Sequence, residues 1–184
     1  MQTFMPYSSY TKSLACLDMK RLGKQRVESW QIFKLITGQN YNKWAHHPAT
    51  KMWLNHDHAL ALYYNTNLHI FQKKGGINKK LKPIVITKNK YKEILKEPSW
   101  SNNPRVILSH RASLLRKNYL HYSQFGWSEE FLDSPYYWPT GLACSNKNLE
   151  MIAYWSQFTN EYLNHAINIE NTHMLEILKA LAIL

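Results

Sequence analysis

The sequence predicts a mainly α fold: a compact single-domain helical bundle with extra helices at its C-terminal end. Three observations lead there. Apolar residues recur at spacings of three and four along most of the 184 residues. The breaks between those runs hold helix caps, glycines and prolines rather than hairpin turns. No internal repeat, Pro-rich linker or low-complexity tract divides the chain.

The elements follow in chain order. The first seven residues are short and extended around Pro6, and Ser13 is a suitable N-cap for a helix beginning at Leu14. The terminus therefore lies close to the first helix. That helix runs to Thr37-Gly38, where the glycine can take the left-handed cap, while Gly23 weakens its middle and marks a kink or a close backbone approach. A loop from Gln39 to Pro48 leads into a long helix over residues 49–74, stopped by Gly75-Gly76. Between residues 73 and 96 nine lysines stand against Glu93 alone, an insertion near residues 75–98 that reads as a solvated face which also attracts polyanions. Within it, residues 83–86 could form a brief strand and Thr87 could cap a short helix. Asn103-Pro104 starts a helix expected to continue from Val106 to Tyr122, with Gly126 ending the pattern. Residues 133–141 form an aromatic loop between prolines. Ser145 then caps a helix with Leu149, Ile152, Trp155, Tyr162 and Ala166 on one face, and Thr172 caps a last one.

Charge narrows the function. With 23 Lys+Arg against 12 Asp+Glu, the net charge of +11 points to a polyanionic partner. There is no run of 18 apolar residues and no leader pattern, so neither a membrane span nor a signal peptide is expected and the protein reads as cytoplasmic. Cys16 and Cys144 are lone thiols, suited to a reducing compartment and supplying no metal framework. His46-His47 and His56-Asp57-His58 invite a metal reading, but i and i+2 point apart on a helix and no HExxH accompanies them. The phosphate-loop, dinucleotide and GxSxG signatures are missing as well. Neither metal nor cofactor is expected.

The stretch richest in chemistry is Arg21-Leu22-Gly23-Lys24-Gln25-Arg26-Val27-Glu28. At 3.6 residues per turn Arg21, Lys24, Gln25, Glu28 and Gln31 share a polar stripe, with Leu22, Val27, Trp30, Phe33 and Ile36 as apolar neighbours. One carboxylate thus sits among three cations. This is equally the pattern of a solvated Lys24–Glu28 pair, worth about 0.2–0.5 kcal/mol, and of an ionised carboxylate that stabilises a developing cation while the bases hold phosphates. His110, Arg111, Arg116 and Lys117 on SHRASLLRK form either an exposed basic face or a DNA contact, and Tyr136-Tyr137-Trp138 either core or a stacking platform.

The order LDxKRLxKQRVE, HHPATKMW, SHRASLLRK and PYYWP resembles the pyrimidine-dimer DNA glycosylase/AP lyase family, over roughly residues 1–141. Residues 142–184 would be a C-terminal helical extension packed on that domain. The resemblance implies a cofactor-free helical fold whose amino terminus reaches in beside the first helix, acting as a monomer on double-stranded DNA that carries a lesion or a modified base. It places the catalytic glutamate on Glu28, basic helix positions on Arg21 and Arg26, and the aromatic tail near the lesion on Tyr136, Tyr137 and Trp138. Further DNA contacts are expected at Lys51, His110, Arg111, Arg116 and Lys117. Where the family's phage member exposes a small residue after methionine removal, Gln2 is large and keeps Met1, so the nucleophile would be the α-amine of Met1. Such amines titrate near 8 rather than near 10.4, and Arg21 and Lys24 close by would favour the uncharged form. The implied activity is base excision through a Schiff base, with strand cleavage by β-elimination; the alternative is a non-catalytic protein of the same fold that binds distorted duplex.

Overall fold

A hydrophobic core built almost entirely by helices surrounds one extended strand-like arm, the first seven residues of the chain. The computed structural model describes residues 1–86, 97–139 and 146–167, and among them there is no β-strand. The expected helices after Thr87 and Thr172, the Ser145 cap and Cys144 lie outside the described residues.

The chain enters helix through two caps, and neither is Ser13. Ser9 caps α1 (Tyr10–Ala15) and Asp18 caps α2 (Met19–Ile36), its Oδ1 accepting the Arg21 N–H at 2.9 Å. Ser13 is buried inside α1, its hydroxyl exchanging hydrogen bonds with the N–H and C=O of Tyr7. So the hydroxyl that suggested a helix start instead fastens the arm. The end of α2 is as expected, with Gly38 at φ +73° closing the helix.

The α2 sequence presents Leu22, Gln25, Ser29 and Ile32 to the core, while Val27, expected among the apolar neighbours, stays 40% exposed. Gly23 is a site of close approach: a Cβ there would lie 3.2 Å from the ring of Phe71 on α4 (Asp57–Lys73), the helix against which α2 packs.

The single long helix expected over residues 49–74 is two. Between α3 (Pro48–Met52) and α4 the backbone breaks at Trp53–His56, with Asn55 at φ +64°. Tertiary contacts decide this break. Trp53 is completely buried with its Nε1–H donated to the Thr3 hydroxyl, and the Met52 carbonyl, freed from the helix ladder, accepts the Trp100 Nε1–H at 2.7 Å. Residues 83–86, expected as a brief strand, form none and are tied to a side chain instead. The Asn65 amide donates to Ile84 O at 2.9 Å and accepts from Ile84 N at 2.8 Å, supplying the two bonds a neighbouring strand would have made.

Asn103 caps α5 (Pro104–Lys117) as expected, but the helix stops at Asn118 before a separate turn, α6 (Tyr119–Tyr122). The last described segments are α7 (Asn146–Ser156) and a helical stretch over residues 160–167. Their buried face is Met151, Trp155, Leu163 and Ile167, stacked through Trp155 on Phe131 at 6.0 Å; Leu149, Ile152 and Tyr162, expected on that face, are 57%, 54% and 45% exposed. α5 thereby lies between two clusters, giving Val106, Leu114 and Leu115 to the main core and Ile107, Leu108 and Ala112 to the second.

Candidate active site

The arm is positioned by its own backbone, residue by residue. The Gln2 N–H donates to Glu28 Oε2 at 3.1 Å, and the Gln2 carbonyl accepts the Gln25 Nε2–H at 2.6 Å. The Phe4 N–H donates to Gln25 Oε1 at 2.8 Å, while the Phe4 carbonyl accepts the Tyr63 hydroxyl. The Met5 N–H donates to His110 Nδ1 at 2.9 Å, and Arg111 Nε donates to the Pro6 carbonyl at 2.9 Å. Residues 2–7 are all buried, so without these partners their peptide groups would cost about 1–3 kcal/mol each. Gln25 makes two of these six bonds. It is 1% exposed, and its amide also bonds Glu28 Oε2 and the Tyr63 hydroxyl.

This clamping delivers Met1, half-buried, to the wall of a hollow of about 380 Å³ lined by Met1, Gln2, Phe4, Lys20, Arg21, Lys24, Gln25, Glu28, Lys117 and Tyr136. Glu28 is the acid of this wall. Its side chain is 14% exposed and receives Gln2 N and Gln25 Nε2 on one oxygen, while the other faces Lys24 Nζ at 3.8 Å. Lys24, at 73% exposure, leans outward to solvent. Arg21 is fixed by Asp18 at 2.9 Å and by the Lys117 carbonyl at 2.8 Å, which joins α2 to the end of α5. Burial pushes Asp18 upward, but the Arg21 backbone N–H, the Tyr122 hydroxyl and the Arg21 guanidinium together hold it below the ordinary carboxylate value. Lys117 is held below its ordinary value, by burial first and then by Arg21, Arg116 and Lys24, with Glu28 pulling the other way. A single carboxylate under a rim of cations is suited to a substrate that is anionic outside and develops positive charge at its reacting carbon.

Six of the sequence-derived candidates meet here: Met1, Arg21, Lys24, Glu28, Lys117 and Tyr136. Tyr136 is held by the Ser113 hydroxyl and lies edge-on to His110 at 5.8 Å. The others do not line the hollow. Arg26, expected beside Glu28, points to a separate depression lined by Val27, Ile77 and Leu81, bonding Asn78 Oδ1 at 2.8 Å with its guanidinium 4.2 Å from the centre of the Phe71 ring. The two residues stand two positions apart in the sequence, a spacing that puts them on different faces of the helix. His110 and Arg111, expected to touch DNA, are 0% and 2% exposed and belong to the arm clamp. Burial drives His110 down to about 3, so it is neutral and its Nδ1 is free to accept from Met5. Arg116 is exposed but holds the carbonyls of Leu132 and Ser134, steadying the start of the aromatic loop. Lys51 lines another depression with Trp100 and Pro139. Tyr137 and Trp138 are half-buried, Tyr137 edge-on to Trp155 and Trp138 edge-on to His47.

Sequence reasoning missed Tyr63, and it weighed His47 only as a metal ligand. His47 caps α3 through Nδ1 and is held below its ordinary value by burial first and by the positive chain terminus second, which sets it near the amine. The sequence signals for it were the His46-His47 pair and the HHPATKMW motif. Gln25 was legible only as one polar residue in a charged stripe. Among the described residues no cluster of three metal-ligating side chains occurs, and no helix is long and apolar enough to cross a membrane.

Comparison with curated proteins and with solved structures finds no match. Comparison with family models does find one, and it ends before α5 and the aromatic loop, so the SHRASLLRK and PYYWP motifs lie beyond it. Residues 1–83, which hold the arm, Gln25, Glu28 and α1 to α4, match the family described as pyrimidine dimer DNA glycosylase, the family that the motifs of this chain resemble.

Proposed function

We propose that the protein is a DNA glycosylase with AP lyase activity that works through the α-amine of Met1. The observation that carries this reading is the 3.1 Å hydrogen bond from the N–H of residue 2 to Glu28, which holds the one acid among the described residues of the hollow's wall one peptide away from the chain's amine.

The chemistry follows from the groups. The uncharged amine gives its lone pair to C1′ of the damaged nucleotide, and the C1′–N glycosidic bond breaks with its electron pair leaving on the base. The nitrogen, after losing a proton, expels O4′ from C1′ to open the sugar and form the iminium. Loss of a proton from C2′ then breaks the C3′–O bond and releases the 3′ phosphate. Glu28 stabilises the positive charge that builds on the sugar and persists in the iminium, and it serves as the base for the proton movements. Lys20, Arg21, Lys24 and Lys117 hold backbone phosphates at the rim. Tyr136 forms the aromatic wall against which an extruded base rests.

Borohydride trapping on a duplex with an abasic site tests the reading, because only an imine can be reduced to a stable adduct. Peptide mapping is expected to place the sugar remnant on the Met1 nitrogen. Mapping to Lys20, Lys24 or Lys117 would remove the terminal amine, and the absence of any adduct would leave a non-catalytic DNA-binding protein.

A further inference from the structure

The turn between α2 and α3 carries flat rings out to solvent. Over residues 41–47 the sequence Tyr-Asn-Lys-Trp-Ala-His-His interleaves rings with polar and cationic groups, and Tyr41 and Trp44 are 78% and 39% exposed. The turn that holds Trp44 is firmly built. Asn42 Oδ1 accepts the Trp44 N–H at 2.9 Å, the Trp44 carbonyl accepts the Thr50 hydroxyl at 2.8 Å, and His47 caps the helix that follows. A tryptophan held half in water on a fixed turn forgoes burial that it could otherwise have had.

Its placement supplies the reason. A row of ring contacts runs from Trp44 to the hollow: Trp44 to His47 at 5.4 Å, His47 to Trp138 at 6.0 Å, Trp138 to Tyr136 at 5.5 Å. Tyr136 lines the wall that also holds Met1 and Glu28. The row therefore starts at the reacting groups and ends at solvent, on α2's loop rather than on the basic α2–α5 rim. Lys43 Nζ lies 5.9 Å from the centre of the Trp44 ring, within reach of a phosphate attached to anything stacked there. A flat ring beside a cation on a chain of net charge +11 matches a nucleotide, which offers a π-face and a phosphate together.

We propose that Trp44 is a stacking surface for one nucleobase displaced from the duplex next to the reacting nucleotide, with Lys43 on that nucleotide's phosphate. This rests on the glycosylase reading, since a base must leave the stack before C1′ can be attacked.

The test uses the full chain and a duplex carrying a stable tetrahydrofuran abasic analogue, with 5-iododeoxyuridine placed opposite the analogue or on either side of it. On irradiation the photo-adduct is expected on Trp44 from at least one of these positions, to vanish in Trp44→Ala and to shift to the new ring in Trp44→Phe. Trp44→Ala should weaken binding to the analogue duplex about tenfold, within the range for one stacked base, and leave affinity for undamaged duplex unchanged. Retention of a melting temperature like the parent's in both variants excludes unfolding as the cause. Adducts that map only to residues 136–138, or equal loss of damaged and undamaged binding, would overturn the proposal. A wild-type borohydride adduct with no Trp44 photo-adduct sinks this inference alone, whereas a Trp44 photo-adduct with no borohydride adduct sinks the amine chemistry and leaves the stacking surface.

Discussion

α2 and α5 read alike as sequences and behave differently as structure. Both carry clustered Arg and Lys on a helix with apolar neighbours, and α5 adds His110. In α2, Arg21 and Lys24 line the hollow with Glu28. In α5, His110 and Arg111 turn inward, bond the backbone of the arm and meet rings, with the Arg111 guanidinium 4.9 Å from the Tyr7 ring centre and 5.8 Å from that of Trp127. The difference lies in what each helix faces. The middle of α5 is enclosed by a core on either side and by an arm whose peptide groups need partners, so His110 and Arg111 are consumed by satisfying buried backbone, while Lys117 at its end reaches the hollow. α2 has one side against α4 and another on the hollow, so Lys20, Arg21 and Lys24 line that hollow while Arg26 is tied to Asn78 and Phe71. A basic motif on a helix therefore indicates neither binding nor structure until its neighbours are known.

Substitutions on the two helices should separate these roles. The largest effect is expected from Glu28→Gln, which keeps the shape and hydrogen-bonding capacity of the side chain and removes its charge. Single-turnover cleavage of an abasic duplex should fall by roughly 10²–10³, the cost of about 2.7–4 kcal/mol seen when a transition-state electrostatic contact is lost, with DNA affinity retained. Cleavage equal to wild type would reduce the carboxylate to a partner of Lys24. On α5, Arg111→Ala should instead destabilise the fold by roughly 2–4 kcal/mol through a cavity and an unpaired Pro6 carbonyl, read as a lower urea midpoint. The salt slope of DNA binding should not change; a slope lower by one contact would return Arg111 to the surface.

Acid stability sharpens the same contrast. His110 titrates near its ordinary value in the unfolded chain but only at about 3 when folded. Below about pH 6.5 the unfolded state therefore binds the extra proton, and stability falls as the pH drops from there towards 3. The loss should reach roughly 2 kcal/mol between pH 6.5 and pH 5, at about 1.36 kcal/mol per pH unit. Asp18, held below the ordinary carboxylate range, adds a loss of the same sign at lower pH as it takes up its proton. His110→Asn should flatten the upper part of this curve, and thermal melts from pH 7.5 to 5 that show an unchanged slope would contradict the buried neutral histidine. The smallest effect is on the exposed rim. Lys24→Ala should leave folding stability within about 0.5 kcal/mol and lower the slope of log K against log salt by roughly 0.9, one phosphate contact. An unchanged slope would move the phosphate path away from this edge of the hollow.

The sequence by itself determined the helical class, most of the punctuation and half of the site. Gly38 and Gly126 end their segments and Asn103-Pro104 starts α5 as read, because these signals act within a few residues of the chain. The α2 stripe was legible for the same reason: Arg21, Lys24, Gln25 and Glu28 share a face by helix geometry alone. Everything that depended on a distant partner was decided only by tertiary structure. The break after Met52 answers to Trp100 and Thr3, the tethering of residues 83–86 to Asn65, and the diversion of Arg26 to Phe71 and Asn78. His110 and Arg111 left the surface because residues 2–7 are buried with peptide groups to satisfy, a demand written some hundred positions away in the chain. Charge and periodicity report the character of a side chain, whereas the backbone atom it must pair with is fixed by packing.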